Sequence, residues 1–490
     1  VRTGPRAGPN EGNHRGVAPT TNSNPILKTK TMSDKSLTER LARHYAALRF
    51  AQIPGDVVDA AKLHILDSLG CLLAGSRLES GRLAYDFADA TSGTATHSTT
   101  TLLGTNRRVS YVDAVQAMSV AAHCGEMDDI HTGAGTCIGA MIIPALLVLA
   151  EQYAGSGRRF IEAAIVGYET IATIGLSVDA AKLFARGWWP STICGAFGVA
   201  AAGAKFLNWS EDAIANALGI ASLHAGGMLT GGNEGATARH LAFGRAAQNG
   251  MLALLAAEQG FTGPKLALED PRGFCLTLCR EPRWEFLHDN HRFHLPDVAF
   301  KPYPCARQLH AGVEALITLL RQHAISPETI EAIELFVPTA NAGMVNRPTI
   351  TASHAATVGS GQYVMAVTAL RGKIDLASFE NEFLHSVEVR QLVNKVKVTA
   401  STDLDRHYPK YWSGRVTVRL AGGESATHEV TVPKGESGNP MSQDEVEEKF
   451  LSLAARILGA EKACSVVREV RSLDVRDSLA PLLAALKLPE

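Results

Sequence analysis

The sequence predicts a mainly α fold: a large all-helical domain drawn from both ends of the chain, with a central α+β domain between them. Three observations carry this. Apolar residues recur at helical spacing from Ser36 to about Glu281, strand-like runs begin only after residue 282, and helical periodicity resumes beyond Pro440.

Taken in order, residues 1–31 are rich in Gly, Pro, Asn, Thr and Arg and show no hydrophobic period, so they read as a disordered leader. Met32 is a natural start, and the low acid content of the leader also permits a transit-peptide reading. The helical part, residues 36–281, opens with Leu37, Leu41, Tyr45 and Leu48 on one face. It continues through Val57 to Leu73, with Ala61, Ile65, Leu69 and Leu72 in register. Ser210 is a plausible N-cap, with Glu211 and Asp212 in the turn that the helix dipole favours for acids. The run Gly195 to Lys205 is small or apolar on every side, which predicts a helix packed on every face.

Residues 282–435 read differently. Ile330–Val337, Val393–Ala400 and Arg415–Leu420 are strand-like, and the last reads as a hairpin with His428–Val432 across Ala421-Gly-Gly-Glu. Helices around Ala311–His323 and Val358–Leu370 intervene, giving an α+β domain. Pro433 to Pro440 reads as a polar linker. Ser442-Gln-Asp-Glu445 then looks like a capping box opening helical residues 440–490, which could return to the first bundle.

Composition narrows the function. Over 490 residues the formal net charge is −2, which argues against a general nucleic-acid binder and leaves any anionic ligand to a local cationic pocket. The eight cysteines lie mostly in apolar runs and form no zinc-finger spacing, as expected of reduced thiols in a cytoplasmic protein. The longest charge-free apolar stretch, Ala140 to Ala150, is too short to span a bilayer.

Three segments could carry chemistry. The first, His123 to Cys137, places Glu126, Asp128, Asp129, His131 and Cys137 close together ahead of an apolar helix, a composition suited to proton transfer. Adjacent aspartates usually point apart, which weakens a metal reading, and the plain alternative is an acidic cap on the helix Gly139–Gln152. The second, Gly231 to His240, ends on Arg239 and His240 after glycine-rich backbone, a pattern suited to an anion. In the third, two prolines hold Lys301 on a stiff, extended stretch where it could neutralise a substrate carboxylate. A capped loop and a surface salt bridge are the plain alternatives for these two.

Beyond the individual segments, several motifs occur in a family's order. They include Ile65-Leu-Asp-Ser-Leu-Gly70, Asp128-Asp129-x-His131, Gly187-Trp-Trp-Pro-Ser191, Gly244-Arg-Ala-Ala-Gln-Asn-Gly250, Gly260-Phe-Thr-Gly263, Lys301-Pro-Tyr-Pro304, Asn346-Arg-Pro348 and Asn439-Pro-Met441. By these the chain resembles the MmgE/PrpD family, which includes 2-methylcitrate dehydratases, cis-aconitate decarboxylases and iminodisuccinate epimerase. The resemblance implies a helical domain, an α+β lid, a homodimer, and a site between the domains without metal or other cofactor. It also shows departures. Glu126 stands where relatives often carry aspartate, Ile130 where many carry threonine, and Cys137 and Trp189 where histidines are frequent. Gly139 replaces a serine, Arg239 stands for lysine, Met344 for tyrosine, and Lys301 is retained.

The expectation is a lyase that removes water or CO2 from a di- or tricarboxylic acid. Glu126, Asp128, His131 and Cys137 are the acid/base candidates, and Arg239, His240 and Lys301 hold carboxylates. A cation beside Cys137 would lower its pKa and make it the most reactive thiol. An isomerase or epimerase working through the same carbanion is the second reading, and a non-catalytic paralogue the third.

Overall fold

The computed structural model describes residues 35–93, 99–230, 234–288, 292–348 and 353–488. The expectations for residues 1–31, and for Gly231, Gly232 and Asn233 of the glycine-rich segment, fall outside these.

Serine caps set where helices begin. Ser36 accepts from the Glu39 amide at 3.1 Å while Glu39 accepts from the Ser36 amide at 3.0 Å, closing a capping box on Leu37–Ala47. Ser110, Ser156 and Ser210 cap Tyr111–Cys124, Gly157–Ser177 and Glu211–Ser222 by the same side-chain bond. Small residues then let the helices approach closely. The Gly157–Ser177 helix crosses Pro190–Phe206, and a Cβ added at Gly198 would lie 2.3 Å from Ile171 and 3.0 Å from the Gly167 carbonyl. Gly157–Ser177 is long and apolar enough to cross a membrane by composition, yet it is 94% buried in this core.

A first hydrophobic core joins residues of these helices to Phe450, Val466 and Leu482 near the C-terminus. The helix Gln443–Leu458 begins at the Ser442–Glu445 capping box and lies on Gly55–Gly75. Phe450 meets the bare backbone of Gly70, where an added Cβ would sit 3.1 Å from its ring. Fully burying such a side chain contributes about 1.5–3 kcal/mol.

A second core fills residues 305–418 around a four-stranded sheet. The strands are β3 (Ile330–Val337), β4 (Val396–Ala400), β5 (Gly414–Leu420) and β6 (Ser425–Val430), in spatial order β4-β3-β5-β6. β3 pairs parallel with β4 (Leu335 opposite Val398) and antiparallel with β5 (Leu335 opposite Val416). Ile333, Leu335 and Val337 point inward at the strand period. The helices His310–Gln322 and Gly361–Arg371 cover the inner face. The fold is therefore mainly α with an α+β part.

Three details depart from the sequence reading. β1 (Thr99–Thr101) and β2 (Arg108–Ser110) form a small antiparallel hairpin inside the helical part. β4 starts at Val396 instead of Val393 because Ser386 caps a helix, Val387–Val393, that consumes the first residues of the apolar run. The supposed linker at Pro433 packs inward. The Phe300 amide donates to Gly435 O at 3.1 Å, and buried Glu436 accepts from Arg307 at 2.8 Å.

Candidate active site

The acidic segment is a folded loop between two helices. Tyr111–Cys124 stops at Gly125, and Glu126 takes a left-handed conformation (φ 52°) that turns the chain back. Ile130 then exchanges backbone hydrogen bonds with Ala299 at 2.9 and 2.7 Å, which brings the Lys301 stretch alongside. Consecutive side chains along this extended piece face opposite ways, so Asp128 and Asp129 serve different neighbours. Asp129 accepts from the Gly139 amide at 2.8 Å, from Tyr168 at 2.5 Å and from His64 at 2.8 Å, which fixes the start of Gly139–Gln152. That part of the acidic cluster is the helix cap of the plain alternative. Gly139 is required there, since a Cβ would lie 2.2 Å from Ser68 Oγ and 2.3 Å from the Tyr168 hydroxyl.

Glu126, Cys137, Arg239 and Lys301 line a cavity with about 740 Å³ free of protein atoms, part of it open to solvent, while fully buried Asp128 touches it only through His123 and Lys301. Lys301 Nζ, fully buried, lies 3.1 Å from Asp128 Oδ1, 3.5 Å from Glu126 Oε2 and 3.6 Å from Cys137 Sγ. Arg239 binds the other Glu126 oxygen and stacks over Trp189 at 5.7 Å. The result is a row of alternating charge, Arg239–Glu126–Lys301–Asp128, whose first three members line the cavity. Ile130, Phe184, Leu229, Met344 and Trp412 form an apolar wall of the same cavity.

Burial and neighbours set the protonation states. Burial opposes charge on Asp128, but His123 and Lys301 outweigh it and hold the carboxyl at about 2. Burial likewise opposes charge on Lys301, and Asp128 more than compensates, keeping it an ammonium. Burial and the Arg347 guanidinium bring Arg239 down to about 10, still cationic at neutral pH.

Glu126, Asp128, Cys137, Arg239 and Lys301 thus converge, whereas two expected site residues do not. His131 lies off the cavity, where its Nδ1 accepts the Ala134 amide at 3.1 Å and its ring sits 6.1 Å from His294. Burial takes it down to about 3, so it is neutral. His240, one residue past Arg239 on the Ala238–Glu258 helix, turns into the core towards Ser80 Oγ at 2.9 Å and is also held neutral by burial. His240 therefore does not hold a substrate carboxylate as a cation, and His131 does not reach the cavity as its acid or base. Cys137 needs a different correction. Burial, and Asp128 beside it, push the thiol up despite Lys301, so it is not the reactive thiolate that a nearby cation suggested.

Sequence reading passed over His123, whose Nδ1 is 2.8 Å from Asp128 Oδ2 and whose ring lines the cavity. Its signal was position alone, at the helix end that opens the acidic segment. Arg307 and Arg347 were also passed over. Arg307 lines the cavity while paired with Glu436 at 2.8 Å, and Arg347 lines it from the α+β part.

Two donor triplets among the described residues invite a metal test. His123, Asp128 and Cys137 converge, but the Lys301 ammonium bonds to Asp128 and Cys137 and supplies the positive charge there. His131, His294 and Asp297 also converge. There His131 Nδ1 takes a backbone N–H, so the neutral ring carries its proton on Nε2, and Asp297 pairs with Arg292 at 2.5 Å. The donor chemistry fits a cation poorly at both places.

Residues 39–287 match the MmgE/PrpD N-terminal domain, and residues 303–474 match the MmgE/PrpD C-terminal domain. The chain belongs to the MmgE/PrpD family. Similar proteins include a cis-aconitate decarboxylase-like protein of Aspergillus oryzae, 28% identical over 93% of this chain and 98% of its own length. Cis-aconitate decarboxylases of Aspergillus terreus (28%, covering 91% of this chain and 95% of theirs) and Homo sapiens (28%, 93% and 95%) are similar to the same extent. In this MmgE/PrpD chain the cavity draws on both matched regions. Glu126, Cys137, Trp189 and Arg239 come from the first, Arg307, Met344 and Arg347 from the second, and Lys301 from the short join between them.

Proposed function

We propose that this chain is a lyase acting without a cofactor on a small di- or tricarboxylic acid, by proton transfer next to a carboxylate and loss of CO2 or water. The observation that carries the reading is the buried Lys301 ammonium between Glu126, Asp128 and Cys137, one carboxylate away from Arg239. A substrate carboxylate entering this wall competes with Glu126 for two cations. Both then stabilise the negative charge that builds on the substrate when a C–H or C–C bond breaks. The apolar side chains that also line the cavity strengthen that attraction. Similarity to proteins named cis-aconitate decarboxylase supports carbon–carbon cleavage ahead of dehydration.

The test is to incubate chelator-treated protein with single di- and tricarboxylic acids, cis-aconitate among them, and follow each by proton NMR. A lyase yields an acid that has lost a carboxyl group or water. An acid of the same composition but altered configuration would instead establish the isomerase reading, and no change in any acid would favour a non-catalytic paralogue.

A further inference from the structure

That reading leaves the proton carrier unassigned, because Cys137 is held as a thiol and His131 and His240 lie off the cavity. His123 meets the requirements of the role. Its Nδ1 is 2.8 Å from Asp128 Oδ2, and a carboxylate held ionised can only accept, so Nδ1 carries the ring proton. The lone pair is therefore on Nε2. This atom is buried in a ring that lines the cavity, has no hydrogen-bond partner, and lies 4.0 Å from Glu126 Oε1. The ring plane is fixed by stacking on Phe243 (centroids 3.9 Å apart, planes within 10°), with Trp189 at 5.5 Å and His240 at 5.8 Å along its edges. An imidazole that lines a cavity, with one nitrogen tied to a carboxylate and the other unpartnered beside a cavity-lining Glu126, is oriented for proton transfer.

We propose that His123 Nε2 is the atom that moves the reaction's proton, with Asp128 fixing the ring's tautomer and balancing its charge once protonated. This rests on the lyase reading above. In dehydration, the substrate C–H bond breaks, Nε2–H forms, and the electron pair left on carbon expels the neighbouring hydroxyl group, which takes a proton from solvent and leaves as water while Nε2 returns its own proton to solvent. In decarboxylation, the C–C bond breaks, its pair stays on the substrate carbon and CO2 leaves. The one proton then required is taken from solvent by Nε2 and delivered to that carbon. The charged groups facing the ring are Asp128 and Glu126 on one hand and Arg239 and Lys301 on the other. Burial and the two cations keep it neutral at rest, and Asp128 opposes them.

Two measurements test this. In protein carrying 15N-histidine, the imidazole signal that disappears in His123→Gln is expected to show a protonated Nδ1 and a bare Nε2; a protonated Nε2 overturns the proposal. On an acid that the wild type converts, His123→Gln is expected to lower kcat by about 10²–10⁴-fold with KM within about threefold. A kcat within tenfold of wild type overturns it while leaving the lyase reading intact, whereas a wild type that converts no acid overturns both. Should His123→Gln fail to fold, Asp128→Asn serves. Its amide can donate to Nδ1, so the tautomer should flip and turnover should fall, and an unchanged tautomer with unchanged turnover overturns the proposal.

Discussion

Replacing Lys301 with methionine keeps most of the side chain's bulk and removes its charge. In the fold that charge is buried and has Asp128 at 3.1 Å and Glu126 at 3.5 Å. Removing one partner of a buried pair strands the other, at a cost of about 3–5 kcal/mol. Asp128 accounts for part of this. Its carboxyl is held at about 2 in the fold, against about 3.9 in an unfolded chain, a difference equivalent to roughly 2–3 kcal/mol. A depressed carboxyl stabilises the fold above its unfolded value, and that contribution is lost as pH falls towards about 2. In Lys301→Met the carboxyl loses its ammonium and its folded value rises, so the variant's deficit should be largest near neutral pH and shrink as acid protonates Asp128. Thermal melting of both proteins across a pH series reads this directly. Equal midpoints at neutral pH, or a deficit that does not change with pH, would refute the electrostatic account of Lys301.

Other consequences are as direct. Gly139→Ala places a methyl group 2.2 Å from Ser68 Oγ, and overpacking of this kind costs about 1–3 kcal/mol, so a melting midpoint equal to wild type would contradict the packing described. Cys464 is the only exposed thiol, and brief iodoacetamide treatment followed by peptide mapping should label it well before Cys137; early labelling of Cys137 would show a reactive thiolate after all. His131→Asn should lower stability through the Ala134 contact and leave kcat within a few fold, and a large kcat loss would return His131 to the site. We propose the homodimer that the family resemblance implies. Light scattering should then give twice 52.1 kDa, and a mass of 52.1 kDa would exclude it.

Much of the fold was legible because it depends on local pattern. Ile330–Val337 alternates, Ser442 and Glu445 stand three apart, and Gly139–Gln152 is a continuous apolar run, so each element follows from its own residues. The β1–β2 hairpin was not legible, since three-residue strands carry too little periodicity. The site was half legible. Charged residues in the right segments were found, but where each points depends on partners distant in sequence. Ser80 draws His240 inward, and the Thr136 and Ala134 backbone hold His131 off the cavity. His123 looked like a helix end because the two features that define it, Asp128 on one nitrogen and an unpartnered second nitrogen in a ring that lines the cavity, exist only in three dimensions.

The most direct test of the central claim is mass spectrometry of a metabolite pool incubated with chelator-treated wild-type protein and, in parallel, with Arg239→Gln. The wild type is expected to consume one carboxylic acid and form another lighter by CO2 or by water, and the variant to convert it much more slowly. A product of unchanged mass, a requirement for added metal, or equal conversion by Arg239→Gln would contradict that claim.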